Sequence, residues 1–439
     1  MNRYFFLTLF ILIASIGVQG QKRIELELAG EVSQEFYLKQ ITRDKHILVD
    51  SAKCVNNQVV FNGHYENGMY YIQHKYSAFT FLVNEEKMVF KADCNDLRSS
   101  LKVLESEENS IWLTYIKRRD IVYKRLKMIT PITNWYDPNT LFYSQAVEEF
   151  NNVQNSFRSW CRNAKANSMA KAFLMADLKP ALAHNKTFEE QKEHLKMHWF
   201  DNVNWEKREL INSDILSNKI RDFLGLYTSR NFNAKQLEEA FCKAIDQFLP
   251  LVIDYPEMYG FVLEFLTKEM ERYGMDAVVV HMATNYPLLD EKCHAEGDLA
   301  EQLKQYAKMG IGKIAPDITT PIWNEKSRKG KVQFQKKTLL VFWSTACPHC
   351  THLIPYLDKW YKKAKTKGWQ LITVSLDVDQ KTLKEFIIKN SLDFTVLCDF
   401  NGWKGKAVVD YNIHSTPAMM VLDADRKIID KPNRFPILD

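Results

Sequence analysis

The chain has 439 residues, a length that corresponds to about three domains. Hydrophobic residues make up 46% and charged residues 26%, which is an ordinary composition for a soluble globular protein. The net charge of +5 is small for this length, so the composition gives no indication of a nucleic-acid-binding protein.

The beginning of the chain predicts a signal peptide over residues 1–20. Arg3 supplies the positive charge before an apolar run at residues 5–16, and that run is too short to cross a bilayer comfortably. Compact residues before Gln21 predict cleavage there, and an uncleaved membrane anchor is the alternative. We therefore expect an exported, periplasmic protein with no stable membrane span after the signal is removed.

Residues 21–105 predict a β-rich, sandwich-like N-terminal domain. Short runs of β-branched and aromatic residues fill residues 70–94, and Asn67 and Gly68 provide a turn signal before them. Such runs, separated by polar residues, are typical of strands with one buried face.

Residues 106–308 predict an all-α middle domain, because aromatic residues recur there at helical spacing. The segments 234–249 and 256–273 each carry an apolar stripe along one helix face, the second beginning at Pro256. We expect these stripes to pack between helices; a groove for an unfolded client protein is the alternative.

Residues 309–439 predict a thioredoxin-like α/β domain, which begins at a junction rich in glycine over 310–316. The expected elements are a strand at 338–343, a helix after Cys347, a strand at 371–376, a helix at 381–389, a strand at 394–398, and a strand pair at 418–422 and 427–429. This order of strands and helices is that of a thioredoxin-like domain.

The chain contains eight cysteines, which matter because disulfide chemistry is expected in an oxidising compartment. They are Cys54, Cys94, Cys161, Cys242, Cys293, Cys347, Cys350 and Cys398. Only Cys347 and Cys350 are close in sequence, so the others do not form the dense framework of a small disulfide-rich domain. Whether Cys54 and Cys94 pair with each other stays open at this level.

The spacing of Cys347 and Cys350 predicts a redox-active disulfide. Cys347 follows a predicted strand and begins a helix, where unpaired backbone N–H groups and the helix dipole favour a thiolate. Cys350 lies on the same turn and can attack a mixed disulfide at the first sulfur. Pro348 suits the first helical turn, and the imidazole of His349 would lower the pKa of Cys347 further. Both intervening residues are therefore expected to tune the redox pair.

A Cys-x-x-Cys pair can also bind a metal ion, with His349, His352 and His414 as further ligands. Structural zinc usually needs a second close cysteine pair, which is absent here, so we expect no metal and no other cofactor. A purely structural disulfide is the remaining alternative, although so small a loop stabilises a fold little.

Four segments of the last domain resemble the exported bacterial thioredoxin-like oxidoreductases of the TlpA and ResA type. They are 312–317 (GKIAPD), 342–343 (FW), 347–350 (CPHC) and 416–417 (TP). The resemblance covers residues 309–430 and implies a thioredoxin fold that exchanges disulfides with protein substrates. It also implies that Pro417 is a cis-proline beside the redox pair and that Trp343, Thr416 and Pro417 bind the substrate peptide.

The complete arrangement resembles multidomain thiol-disulfide proteins of the Bacteroidota, in which a β domain of unknown function and a helical region precede the thioredoxin fold. The segments that carry this resemblance are 50–61, 105–112, 198–202 and 273–277. It implies no chemistry for those regions.

The last domain departs at three places from the families that it resembles. Val341 stands where thioredoxins have a buried acid, and Leu353 stands where ResA-type proteins have a glutamate. Such acids move protons to and from the resolving cysteine, a task that is left here to water or a histidine. Pro432 and Pro436 interrupt the end of the chain, so we expect the usual final helix to be missing.

Together these features predict an exported thiol-disulfide oxidoreductase. Its expected partners are cysteine-containing exported proteins and a redox partner protein, and the direction, reductase or oxidase, stays open. One alternative is a binding or chaperone-like envelope protein in which the redox pair is subsidiary. A peroxidase is a weaker option, because the Pro and Thr arrangement that such relatives place before their reactive cysteine is absent.

Overall fold

The structure is a computed structural model that describes residues 20–29, 35–165, 168–184, 186–286, 299–321, 323, 332–432 and 434–438. The predicted signal peptide lies outside the described residues except for Gly20, and Cys293 also lies outside them. The chain divides into two compact units, Met1–Tyr227 and Thr228–Asp439. This division falls inside the region that the sequence predicts to be helical.

The described part of the first unit opens with eight strands. They are β1 (Lys22–Ala29), β2 (Glu35–Thr42), β3 (Lys45–Lys53), β4 (Gln58–Gly63), β5 (Gly68–His74), β6 (Ser77–Val83), β7 (Lys87–Asp93) and β8 (Lys102–Glu105). They form two four-stranded sheets, in the orders β4-β1-β7-β8 and β3-β2-β5-β6. The pairing is antiparallel except between β1 and β7, which run parallel.

A single apolar core joins the two sheets. Strand β1 alternates between buried and outward-facing residues, so Ile24, Leu26 and Leu28 point inward. They meet aromatic residues such as Phe36 of β2 and Phe81 of β6 in one cluster. Burying each such side chain contributes about 1.5–3 kcal/mol, and this core is the main source of stability in the sheets. The predicted β-rich, sandwich-like domain is confirmed.

Among its described residues, the first unit also contains five α-helices: α1 (Glu107–Trp135), α2 (Leu141–Asn163), α3 (Met169–Asp177), α4 (Phe188–His198) and α5 (Ile215–Gly225). Helix α1 begins at Ser106, whose hydroxyl accepts the N–H of Asn109 at 3.0 Å. The amide of Asn109 then accepts the backbone N–H of Leu82 at 2.7 Å and donates to its carbonyl at 2.8 Å. These two bonds fasten the helix to β6, an edge strand.

In the part of the second unit that the structure describes, four α-helices come first: α6 (Ala234–Phe248), α7 (Pro256–Arg272), α8 (Asp276–Asn285) and α9 (Leu299–Met309). Pro256 occupies the first turn of α7, where a missing N–H costs little. The predicted stripe on α7 is buried, but the opposite face is buried as well, including Phe261 and Phe265. Every residue from Met258 to Met270 except Lys268 is buried, so α7 is a core helix of its unit. The predicted helical middle region is confirmed.

The remaining elements form one mixed sheet with helices on both faces. They are β9 (Lys337–Trp343), α10 (Pro348–Ala364), β10 (Trp369–Ser375), α11 (Gln380–Lys389), β11 (Thr395–Leu397), α12 (Lys406–Asp410), β12 (Ala418–Leu422) and β13 (Ile428–Asp430). The strand order is β11-β10-β9-β12-β13. Strands β9, β10 and β11 are parallel to one another, and β12 runs antiparallel to both of its neighbours, β9 and β13. This is the predicted thioredoxin-like arrangement.

Strand β9 lies at the centre of this sheet, and all its residues after Lys337 are buried. Residues Leu339, Val341 and Trp343 face a core shared with α10 and α11. Leu340 and Phe342 face the opposite core, which includes residues of α12. Burial of both faces explains why β9 reads as a continuous apolar run rather than an alternating one.

No helix follows β13 in the described residues at the end of the chain. Instead, Phe435 and Leu438 pack against the core beneath α10, and the indole of Trp360 donates to the carbonyl of Pro436 at 3.0 Å. Among the described residues, no helix is both long enough and apolar enough to cross a membrane.

Candidate active site

The redox pair lies where β9 ends and α10 begins. Cys347 is the N-cap residue of α10, and its sulfur accepts the backbone N–H of Cys350 at 3.3 Å. Pro348 fills the first helical position, as the sequence predicts. The cap therefore places the sulfur of Cys347 against an N–H that the helix itself leaves unpaired.

The segment before β12 closes over this helix start. The peptide bond between Thr416 and Pro417 is cis, in agreement with the resemblance. The thiol of Cys347 donates to the carbonyl oxygen of Thr416 at 3.3 Å. The structure thus brings together Cys347, Cys350, Thr416 and Pro417, which the sequence separates by nearly seventy residues.

The pKa values of the two thiols are shifted in opposite directions. Burial acts to raise the pKa of Cys347, but hydrogen bonds from Cys350, from the Thr416 side chain and from the backbone of Cys350 and His349 outweigh it, so the pKa is lowered. Burial, followed by the hydrogen bond with Cys347, raises the pKa of Cys350 to about 11. Cys347 is therefore the thiol that ionises first.

His349 is exposed at the start of α10. Its effect on the pKa of Cys347 in this structure comes from a backbone hydrogen bond. The predicted effect of its imidazole charge stays a prediction.

Trp343 is completely buried at the end of β9, against the ring of Phe386 at 5.6 Å between centroids. It has no exposed surface with which to contact a substrate, so the predicted substrate contact is corrected to a core position. Val341 is also completely buried, and Leu353 is half-buried. Neither can exchange a proton with Cys350.

Asp377 is a site residue that the sequence did not reveal. Its buried carboxylate accepts hydrogen bonds from the hydroxyls of Ser344 at 3.1 Å, Thr345 at 2.5 Å and Ser375 at 2.6 Å. It also accepts the backbone N–H of Thr345 at 3.0 Å. Since the N–H of Cys347 donates to the carbonyl of Ser344 at 3.2 Å, Asp377 holds the turn that carries the first cysteine.

No disulfide joins any two of the described cysteines. Cys398 is buried in the same core as Cys350, and its thiol lies 3.5 Å from the carbonyl oxygen of Asp377. Within the described ranges, no group of three or more His, Cys, Asp or Glu side chains is placed to hold a metal ion.

Comparison with known proteins supports a redox domain at this end of the chain. Residues 311–431 match the model of the AhpC/TSA family. The thiol-disulfide oxidoreductase ResA of Bacillus cereus is 31% identical over 125 residues, which are 28% of this chain and 70% of the relative. The sporulation thiol-disulfide oxidoreductase A of Bacillus subtilis is 29% identical over 96 residues, which are 21% of this chain and 56% of the relative.

Two solved structures are also similar. A thiol-disulfide oxidoreductase from Bacteroides fragilis has 28% identity and a TM-score of 0.25, covering 28% of this chain and 92% of its own. A thioredoxin-like protein from Bacteroides caccae has 18% identity and a TM-score of 0.41, covering 58% of this chain and 93% of its own.

The strand order, the cysteine pair at the start of a helix and the identity with ResA over most of its length agree with one another. Through its C-terminal domain, the chain belongs to the ResA-like, thioredoxin-fold thiol-disulfide oxidoreductases.

Proposed function

We propose that the protein is exported and exchanges disulfides with protein substrates through Cys347 and Cys350. The observation that carries this proposal is the position of Cys347 at the start of α10, where its sulfur accepts the backbone N–H of Cys350 at 3.3 Å. The pKa of Cys347 is lowered there by hydrogen bonds, while burial raises that of Cys350 to about 11. An attacking thiol needs to be a thiolate at working pH, whereas the resolving thiol needs to stay protonated until the mixed disulfide forms.

In the reducing direction, the Cys347 thiolate attacks one sulfur of a client disulfide. A bond forms between that sulfur and Cys347, and the other client sulfur leaves as a thiolate that takes up a proton. Cys350 then loses its proton and attacks Cys347, which releases the second client thiol and leaves a Cys347–Cys350 disulfide. The oxidising direction is the same sequence reversed, and a redox partner protein restores the starting form.

Proton removal from Cys350 is the step for which the chain lacks the usual acid. A hydrogen bond from the Thr416 side chain lowers the pKa of both Cys347 and Cys350. We assign to this hydroxyl, together with water, the stabilisation of whichever sulfur carries the negative charge. A hydroxyl stabilises a thiolate by hydrogen bonding without a charge of its own.

The substrate would lie along the cis Thr416–Pro417 segment, next to the sulfur of Cys347. A client strand there could use backbone hydrogen bonds, which do not depend on its sequence. Export to the periplasm is supported by the apolar run at residues 5–16, and it places the protein where client disulfides form.

Trapping tests the proposal directly. Cys350→Ala should leave clients attached to Cys347, because the second attack cannot occur. Mixed disulfides recovered from the exported fraction, and absent with Cys347→Ala, are the expected result. An ordinary pKa for Cys347, measured by thiolate absorbance in the single-cysteine variant, would remove the basis of the proposal.

A second candidate function is binding without redox chemistry. An apolar cavity of about 500 Å³ lies in the first unit, with Leu126, Phe157 and Leu182 among its lining residues. If this cavity carries the main function, a Cys347→Ser, Cys350→Ser double variant should retain the phenotype of the wild type. Loss of the phenotype assigns the function to the redox pair.

A further inference from the structure

A cavity of about 680 Å³ lies within the second unit, between the two helices α7 and α9 and the segment that leads to the cis-proline. Helix α7 contributes Thr267 and Glu271 to its lining, α9 contributes Gln302, and the segment contributes His414 and Ser415. The volume lies in the range of ligand pockets. Both helices lie outside residues 311–431, which match the family model.

The position of the cavity connects it with the redox pair. His414 and Ser415 line it, and the next residue, Thr416, has its carbonyl oxygen 3.3 Å from the sulfur of Cys347. An extended polypeptide advances ~3.3 Å per residue. A client whose sulfur reaches Cys347 would therefore bring its neighbouring residues to this cavity.

One hydroxyl in the cavity lacks a partner. The side-chain oxygen of Thr267 is buried and makes no hydrogen bond with any part of the chain that the structure describes. A buried polar atom without a partner is costly, so the wall of the cavity carries an unmet hydrogen bond.

The charged residues that line the cavity indicate the charge of its occupant. Its two ammonium groups already face carboxylates, since Lys268 pairs with Glu264 and Lys431 lies 3.9 Å from Asp276. Both cations are thus compensated by groups of the protein itself.

Two carboxylates of the same cavity have only neutral donors. Glu271 accepts from the amide of Gln302 at 2.6 Å and from the hydroxyl of Tyr306 at 2.8 Å. Glu301 accepts from the amide of Gln305 at 2.6 Å. Neither makes an ion pair with a described residue. The cavity therefore offers negative charge to an incoming side chain.

We propose that this cavity receives the client segment that flanks the reactive cysteine, and that it favours segments carrying Lys or Arg. The inference rests on the proposed function and names its substrate class. Helices α7 and α9 thereby form one wall of the substrate site. They distinguish between client proteins, which the backbone contacts at the cis-proline do not.

The test compares two synthetic disulfide-linked peptides that differ only in carrying Lys or Glu beside the cysteine. The full-length protein should reduce the Lys peptide faster. Glu271→Gln and Glu301→Gln should each slow that reaction about 2- to 5-fold, the range of a solvent-accessible ion pair. Gln302→Lys, which places a cation in the same cavity, should act in the same direction. Reduction of a small aromatic disulfide should not change.

The matched control is Glu385→Gln, which removes an exposed carboxylate of α11 outside the cavity. It should leave all three rates unchanged. Equal rates for the two peptides in the wild type would overturn the inference and leave the proposed function intact.

Binding of a cysteine-free, fluorescent Lys peptide provides a readout without thiol chemistry. Binding that Glu271→Gln weakens, with no exchange of any disulfide, would support the cavity and reject the proposed function. Absence of a difference between Lys and Glu peptides in this assay would reject the cavity.

Discussion

The N-terminal sandwich and the C-terminal sheet bury similar residues in different ways. In the sandwich, β1 turns Ile24, Leu26 and Leu28 inward and leaves polar residues outside. In the C-terminal sheet, β9 is buried on both faces, and its end leads directly into the first turn of α10. Burial of apolar side chains is enough to stabilise a sheet. Thiol reactivity also needs a buried strand whose end places a cysteine beside the unpaired backbone N–H groups of a helix start.

The largest expected effect separates reactivity from folding. Cys347→Ala should reduce disulfide exchange at least ~10³-fold, because the activated nucleophile is lost. Thermal unfolding of the sandwich should not change. Exchange rates and circular dichroism on one sample measure both quantities, and residual exchange above the uncatalysed rate would give the attacking role to another cysteine.

A core substitution in the sandwich should lower stability and leave the reactivity of Cys347 unchanged. Phe81 is 1% exposed between the two sheets, so Phe81→Ala should lower the free energy of unfolding by about 3–5 kcal/mol. Alkylation of Cys347 under native conditions should keep its wild-type rate. A matching fall in that rate would show that the two regions are coupled.

Loss of the Asp377 carboxylate should affect both stability and reactivity. Asp377→Ala leaves the hydroxyls of Ser344, Thr345 and Ser375 without their acceptor, which should cost about 1–3 kcal/mol. The turn before Cys347 should loosen and exchange should slow severalfold.

Asp379→Ala is the control, because Asp379 caps α11 through Thr382 and does not touch the redox turn. It should cost about 1 kcal/mol and leave exchange unchanged. Equal exchange rates for the two variants would mean that Asp377 supports folding alone.

The smallest expected effect is a pH shift. The Thr416 side chain lowers the pKa of Cys347, so Thr416→Val should raise it and move the alkylation midpoint to higher pH. Cys350, with a pKa of about 11, should stay unreactive through the neutral range in both proteins. An unchanged midpoint would assign the lowered pKa of Cys347 to the backbone donors of α10. Thr416→Ser should leave those donors in place as well.

Local patterns predicted much of this structure. The apolar run at 338–343 and the strand at 418–422 lie where the sequence places them, and Cys347 begins a helix as its spacing indicates. Asp377 could not be found in this way, because its partners come from a segment that lies 32 or 33 residues earlier. Contacts that depend on tertiary folding leave no local period in a sequence.

Burial is the other property that local patterns did not show in full. Trp343 stands near the first cysteine in the sequence, but the direction of β9 turns it into the core. The sequence of α7 predicts one apolar stripe, whereas tertiary packing buries nearly all sides of the helix. In both cases neighbours far along the chain decide what a residue faces.

The bond between Asn109 and Leu82 has a consequence for solubility. Strand β6 is the edge of its sheet, and unpaired backbone groups on an edge are a template for pairing with a second molecule. The Asn109 amide occupies one N–H and one carbonyl there as a neighbouring strand would. A single side chain of α1 thus helps to keep concentrated protein from joining sheet to sheet.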